Sequence, residues 1–193
     1  TREAGRIDKP VAALLRDLDP IRWRQLDHNP IALLSEISLD KLEQRAGQLV
    51  LHSRINHAYN RLQEYLDAKD TWAATHAGVL QSRPVVYFSA EFGLHESIPI
   101  YSGGRRLLAG HHINSASDLG VPLIGVGLFY DQGYFHQQLD HNGWQQEEYA
   151  DVDVAELPLV PALGPQGQPL SVEIETRDGK IRAKVWRMQV GRC

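Results

Sequence analysis

Apolar positions recur at helical spacing through the first eighty residues and then give way to short continuous runs and strict alternation. Between Ser38 and Leu66, the residues Leu39, Leu42, Ala46, Leu49, Val50, Ile55, Ala58, Leu62 and Leu66 follow at three- and four-residue steps, with some slippage. That spacing predicts two helices, broken near Leu51-His52-Ser53. Asp19-Pro20 and Asn29-Pro30 each place a capping side chain ahead of a proline at the first helical position. Trp23, Trp72 and several leucines are expected on the buried side. Such a helical layer packs against the rest of the protein or presents a face to a partner or regulator.

Near Ser82-Arg83-Pro84 the pattern changes. Val85-Val86-Tyr87-Phe88 is a continuous apolar run, which predicts a strand buried on both faces. A loop follows from Glu91 to Ser102, then an amphipathic helix from Leu107 to Leu119 ended by Gly120, then a second buried strand from Val121 to Leu128. Tyr134 to Leu139 is expected to open a hairpin that turns at Asp140-His141-Asn142-Gly143. Asp153–Leu157, Leu170–Glu175 and Lys180–Val190 alternate apolar and polar residues and read as strands. Gly164-Pro165-Gln166-Gly167 and Arg177-Asp178-Gly179-Lys180 read as turns between them. The division expected is a helical N-terminal extension over 1–82 and the start of an α/β domain over 83–193.

Composition narrows the function classes. With 42% hydrophobic and 23% charged residues, the chain has the balance of a soluble globular protein. A net charge of −4 argues against nucleic acid, whose phosphates need a basic groove. No apolar run approaches the roughly 20 residues that span a bilayer, and the polar start Thr-Arg-Glu-Ala-Gly lacks the apolar stretch of a signal peptide. The one cysteine, Cys193, cannot form an internal disulfide, so the cytoplasm is the simplest compartment. A start at Thr1 and a stop directly after the strand-like run Ile181–Val190 suggest a piece of a longer chain, because a sheet broken there leaves an open edge.

The chemistry concentrates between Val85 and Phe135. Strand, glycine-bearing loop, helix and strand make one βαβ unit, and Gly103-Gly104 at the strand-to-helix turn aims bare backbone N–H groups at an anion. On spacing alone, Gly-Gly before a helix is more often merely a tight turn. Glu91 follows the first strand, at the end where α/β sheets place their sites. It either braces the loop or contacts substrate, or is an ordinary loop acid. Tyr101 and Ser102 line the same crevice or merely shape the loop. Tyr130, Tyr134 and Trp144 suit stacking on a sugar, with core packing the stronger expectation. The stretch Ser102–Gly110 lacks the Lys-Ser/Thr pair of a P-loop and the third spaced glycine of a dinucleotide site. His95, His111, His112, His136 and His141 are not spaced to place two imidazoles one helical turn apart, so no metal site is expected.

Val86-Tyr87-Phe88-Ser89-Ala90-Glu91-Phe92-Gly93-Leu94-His95-Glu96-Ser97, Pro99-Ile100-Tyr101-Ser102-Gly103-Gly104 and Ser115–Leu123 resemble the N-terminal part of the bacterial α-glucan (glycogen/maltodextrin) phosphorylases. The likeness continues through Gly125–Leu128, Gln132–Phe135 and Gly143–Glu147, and Asn29–Leu34 resembles the helical extension of the shorter bacterial members. The resemblance implies the N-terminal part of a two-Rossmann-domain (GT-B type) glycosyltransferase. Such enzymes release glucose-1-phosphate from α-1,4-glucan with inorganic phosphate, using pyridoxal phosphate bound as a lysine Schiff base. That lysine and the basic phosphate-binding residues belong to a C-terminal half outside this chain, so the chain by itself is expected to be catalytically incomplete. It also turns the Gly-Gly reading toward anion binding, giving Gly103, Gly104, Glu91, Tyr101, Ser102, Arg105 and Arg106 as candidates for phosphate or substrate binding. Oligomeric state stays open. Other classes to weigh are a non-catalytic sugar- or phosphate-binding paralogue and a glycogen synthase-type enzyme.

The chain departs from that family inside the loop. The family pattern reads Gly-Gly-Leu-Gly-Val-Leu-Ala-Gly-Asp-His-Leu-Lys, whereas here Arg105 stands for leucine, Arg106 for glycine, His111 for aspartate and Asn114 for lysine. Two arginines in the first turn oppose the helix dipole, and Arg106 costs about 1 kcal/mol or more if that position needs positive φ. The expectation is impaired substrate positioning. The opposite reading is direct phosphate binding by two fork-shaped donors.

Overall fold

The structure, a computed structural model, describes residues 9–94, 98, 104–130, 135–149 and 152–193, without the side chains of residues 104–106 and 136. Seven helices come first: α1 Lys9–Leu18, α2 Pro20–Gln25, α3 Pro30–Glu36, α4 Leu39–Ala46, α5 Leu49–Asp67, α6 Trp72–His76 and α7 Val79–Ser82. The two proline-led starts form as their sequence predicts. Asp19 accepts a hydrogen bond from the Arg22 amide, and Asn29 accepts from the Ile31 and Ala32 amides. Asn29 is buried, and its side-chain amide donates to the Glu156 carbonyl at 3.1 Å, so one residue caps α3 and ties it to a segment 127 positions later.

Two details of this layer differ from expectation. The break between α4 and α5 lies at Gly47-Gln48, four residues before Leu51-His52-Ser53. Glycine is a poor helix former, Gln48 turns extended, and Leu51 continues the helix because it is buried against α1. Trp23 is buried at 5% exposure, but Trp72 is 50% exposed and stacks on His76 instead of entering the core.

The mixed α/β part begins with β1 Val85–Phe88, followed by α8 Gly104–Leu119 and β2 Leu123–Val126. β1 and β2 pair in parallel with Val85 opposite Leu123 and Phe88 opposite Val126. Gly120, at φ +70°, ends α8. Both strands were expected to be buried on two faces. Val86 and Ile124 are instead exposed and Phe88 is 74% exposed, because no further strand or second helix layer among the described residues covers that side.

Beyond β2 lie three antiparallel ribbons. β3 His136–Leu139 pairs with β4 Gln145–Glu148 across the expected turn, where Asp140 accepts from the Asn142 and Trp144 amides and Gly143 takes φ +80°. β5 Val160–Pro161 pairs with β8 Trp186–Arg187, and β6 Ser171–Thr176 pairs with β7 Gly179–Lys184. Residues 154–156 form a 3-10 turn rather than the start of a strand, because the Asp153 carboxylate accepts from the Ala155 amide and caps it. The strand expected over Lys180–Val190 ends in two pieces, with Val190 and Cys193 closing a turn on each other.

The core falls into two clusters. Leu14, Leu15, Leu18, Trp23, Leu33 and Leu51 hold the helical layer together. Phe92, Ala109, Ile113, Ala116 and Leu123 pack α8 against β2 and the segment leaving β1. No helix among the described residues is long and apolar enough to cross a membrane.

Candidate functional site

Parallel pairing of β1 and β2 with α8 between them puts the N-terminus of α8 and the C-terminal ends of both strands on one side. That is where a βαβ unit offers unpaired helix amides to a ligand. Gly104 is the first residue of α8, and Arg105 and Arg106 follow in its first turn. α8 starts at Gly104, three residues before Leu107, so Gly104 is a helix entry rather than part of an isolated turn. Tyr101, Ser102 and Gly103 lie outside the described residues, as do Tyr134, His95 and Pro99–Ile100.

Glu91 is half-buried in the segment leaving β1. Its backbone is set by Ser89, whose hydroxyl donates to the Glu91 carbonyl at 2.8 Å and accepts from the Glu91 amide at 3.4 Å. Ser89 is in turn anchored by its amide to the Val126 carbonyl at 3.0 Å. Phe92 then buries its ring edge-on to Tyr87, 5.9 Å between centroids. Tyr87 also meets His112 of α8 at 4.9 Å. The strand exit is therefore held by β2 on one side and α8 on the other.

Trp144 is 74% exposed at the β3–β4 turn, and Tyr130 is exposed as well. Core packing, the stronger expectation for both, does not hold: Trp144 sits at the turn of a short ribbon with nothing laid over it among the described residues, and Tyr130 lies in the coil after β2. Their exposed rings suit stacking on a ligand, although both lie outside α8.

The far end of α8 carries a network that sequence reasoning did not single out. Tyr65 Oη and Ser117 Oγ are 2.6 Å apart, and Tyr65 donates to Asp118 at 2.9 Å. Arg192 donates to the Ser117 carbonyl at 2.8 Å and to the Tyr65 carbonyl. Burial, acting before the hydrogen bonds, pushes the Tyr65 phenol above its usual range. Burial likewise raises the Cys193 thiol, whose sulfur sits 3.8 Å from the Ile113 carbonyl. No single residue type announces this network, since its members come from three distant stretches of chain.

The five lysines, Lys9, Lys41, Lys69, Lys180 and Lys184, are all exposed and lie outside the β1–α8–β2 unit. None of these lysines stands at the glycine turn, so the described residues do not fit a pyridoxal phosphate Schiff base there. Among the described residues, no three His, Cys, Asp or Glu side chains converge on a point that suits a metal ion.

A family model described as "Protein of unknown function (DUF3417)" matches residues 7–98. Glycogen phosphorylase of Mycobacterium tuberculosis is 42% identical over 191 residues, which is 96% of this chain and 22% of that protein. Maltodextrin phosphorylase of Thermococcus litoralis is 36% identical over 189 residues, again 96% of this chain and 22% of that protein. Glycogen phosphorylase of Aquifex aeolicus is 34% identical over 183 residues, 95% of this chain and 25% of that protein. The chain thus spans between 22% and 25% of the length of these curated relatives.

Proposed function

This chain is a homologue of the N-terminal portion of the glycogen and maltodextrin phosphorylases, and we propose that it is the first part of an α-1,4-glucan phosphorylase of the two-Rossmann-domain type. The reading assigns residues 1–82 to a helical extension and 83–193 to the start of the first Rossmann-like domain. The whole protein transfers the terminal glucose of an α-1,4-glucan to inorganic phosphate. The cofactor expected from the family is pyridoxal phosphate, held by a lysine outside this chain.

The observation that supports the reading is the parallel β1–α8–β2 unit with Gly104 opening the helix and Glu91 at the adjoining strand end. Phosphorolysis brings anionic oxygens close to a sugar on which positive charge develops. Preorganised amides stabilise the anion without reorganising as the reaction proceeds. In this reading Gly103 and Gly104 present those amides, and the dipole of the sixteen-residue α8 adds about 0.3–1 kcal/mol of attraction when exposed and up to about 2 kcal/mol when partly buried. In this reading Glu91 orients the loop or the sugar, and Tyr101 and Ser102 are further candidates for contact with phosphate or sugar.

Arg105 and Arg106 are the specific reason to keep a second reading, a sugar- or phosphate-binding paralogue with weakened catalysis. Both occupy the first turn of α8, where positive charge opposes the dipole. The deciding experiment assays the full-length protein that carries this chain, with maltodextrin and orthophosphate. Release of glucose-1-phosphate supports the phosphorylase. Glucan and phosphate binding without turnover supports the paralogue, and consumption of a sugar nucleotide supports a synthase-type enzyme instead.

A further inference from the structure

Gly110 is buried on α8, six residues after Gly104. A Cβ placed on Gly110 would lie 2.8 Å from the carbonyl carbon of Gly93 and closer still to its oxygen. The obstacle is main chain, not the end of a side chain that can swing away. Helix backbone and loop backbone meet directly here, and only glycine permits it.

The same segment is gripped from β2 and from Gly127, the residue just after it. A Cβ on Gly127 would lie 2.9 Å from the Phe92 ring and 2.9 Å from the Ser89 carbonyl oxygen. A Cβ on Gly125 would lie 3.2 Å from Phe92 Cζ. Residues 89–94 are therefore seated in a slot bounded by three glycines, two under Phe92 and one under the Gly93 carbonyl.

The slot fixes a distance. Gly93 is two residues from Glu91, at most about 7 Å of chain. Gly110 is six residues from the amide end of α8, about 9 Å of helix rise. We infer that Gly110 is a positioning residue for phosphorolysis: by seating the Gly93 carbonyl on α8, it holds the Glu91 segment at a set spacing from the amides of the glycine turn. This rests on the phosphorylase reading above. Any side chain at position 110 drives the two apart, and a displacement near 1 Å costs on the order of a hundredfold in rate.

The test compares Gly110→Ala with Leu33→Ala in the full-length protein. Leu33 is fully buried in the other core cluster, within the helical layer, and controls for lost packing alone. Gly110→Ala is expected to lower kcat/KM for orthophosphate by about ten- to a hundredfold. In the same variant, amide exchange rises across residues 89–94. Leu33→Ala is expected to lower the melting temperature at least as much, with kcat/KM within about twofold of wild type. Should Gly110→Ala not fold, Phe92→Leu loosens the same segment from the β2 side and carries the same expectation. Wild-type kinetics in Gly110→Ala, or an equal kinetic loss in Leu33→Ala, overturns the positioning role while phosphorolysis stands. A wild-type protein that releases no glucose-1-phosphate overturns the functional reading and the role with it.

Discussion

The Arg192 guanidinium lies 4.0 Å above the ring of Tyr65, and the same side chain donates to the Tyr65 backbone carbonyl. The two residues are 127 positions apart, and together they pin α5 to the end of α8 through Ser117. Replacing Arg192 with methionine is expected to cost about 2–4 kcal/mol, from the cation–π contact and the charge-assisted hydrogen bonds. A double-mutant cycle with Tyr65→Leu, read by urea denaturation, checks the pairing. A coupling energy near zero would reject it, since contacting residues of one network couple by about 0.5–3 kcal/mol.

Alkaline pH should loosen the same region. Burial raises the Tyr65 phenol above its ordinary 10.0 and the Cys193 thiol above its ordinary 9.0, so the folded chain holds both protons more tightly than the unfolded chain. Their contribution is complete below pH 9.0 and declines as pH rises through the ordinary values toward the raised ones. At pH 7 to 8, Cys193 should also react with a thiol reagent more slowly in the folded protein than in urea. Equal rates in the two states would contradict its burial.

Asp19 separates a cap from an ion pair. Its carboxyl is held below the ordinary 3.8, first by the hydrogen bond from Lys41 and then by that from the Arg22 amide. The stability linked to this carboxylate is present above pH 3.8 and is lost as pH falls through the lowered value. Asp19→Asn keeps the cap and loses the Lys41 partner, so it should cost little at pH 7 and flatten the acid side of the stability curve. Asp19→Ala loses the cap and should cost about 0.5–2 kcal/mol by thermal denaturation. Equal losses in the two variants would mean the cap contributes nothing.

Phe92 is the apolar centre of the strand exit. Phe92→Ala should cost about 3–5 kcal/mol, because the ring fills a slot between Gly125, Gly127 and Ile113 that glycine cannot collapse into. Denaturant titration measures this directly. A loss below 1 kcal/mol would show that the slot closes on its own.

Arg105→Leu together with Arg106→Gly restores the family pattern at the helix entry. Arg106 has helical backbone within α8 rather than positive φ, so the impairment left to relieve is positive charge against the helix dipole, and the full-length double variant should gain about two- to fivefold in phosphorolysis, the equivalent of roughly 0.3–1 kcal/mol. Unchanged activity refutes impairment, and a loss of affinity for orthophosphate shows that the arginines bind the anion.

Local signals in the sequence translated well. The Asx-Pro starts at Asp19 and Asn29, the Asp140–Gly143 turn and the parallel β1–α8–β2 unit all form as their residues predict. The capped starts and the turn depend on contacts within a few residues, and the parallel pair, which joins Val85 to Leu123, follows from the strand–helix–strand order. The misplaced break at Gly47, the capped turn at Asp153 and the exposed Trp72 and Trp144 depend on which face finds a partner, and alternation alone does not say. At the candidate site, Gly104 and Glu91 were legible from position, whereas the seat made by Gly110, Gly125 and Gly127 was not. Its signal lies in Gly125 on β2 and Gly127 just after it, alternating opposite Phe92 in the preceding loop, a pairing visible only once the strands are side by side.

The bond from Asn29 to the Glu156 carbonyl and the clamp of Arg192 on Tyr65 each join residues 127 positions apart. During synthesis at about 5–20 residues per second, the leading helices wait about 6–25 s for their fastenings to emerge. The early chain is therefore a nascent intermediate that must keep its leucines from straying until late arrivals secure it.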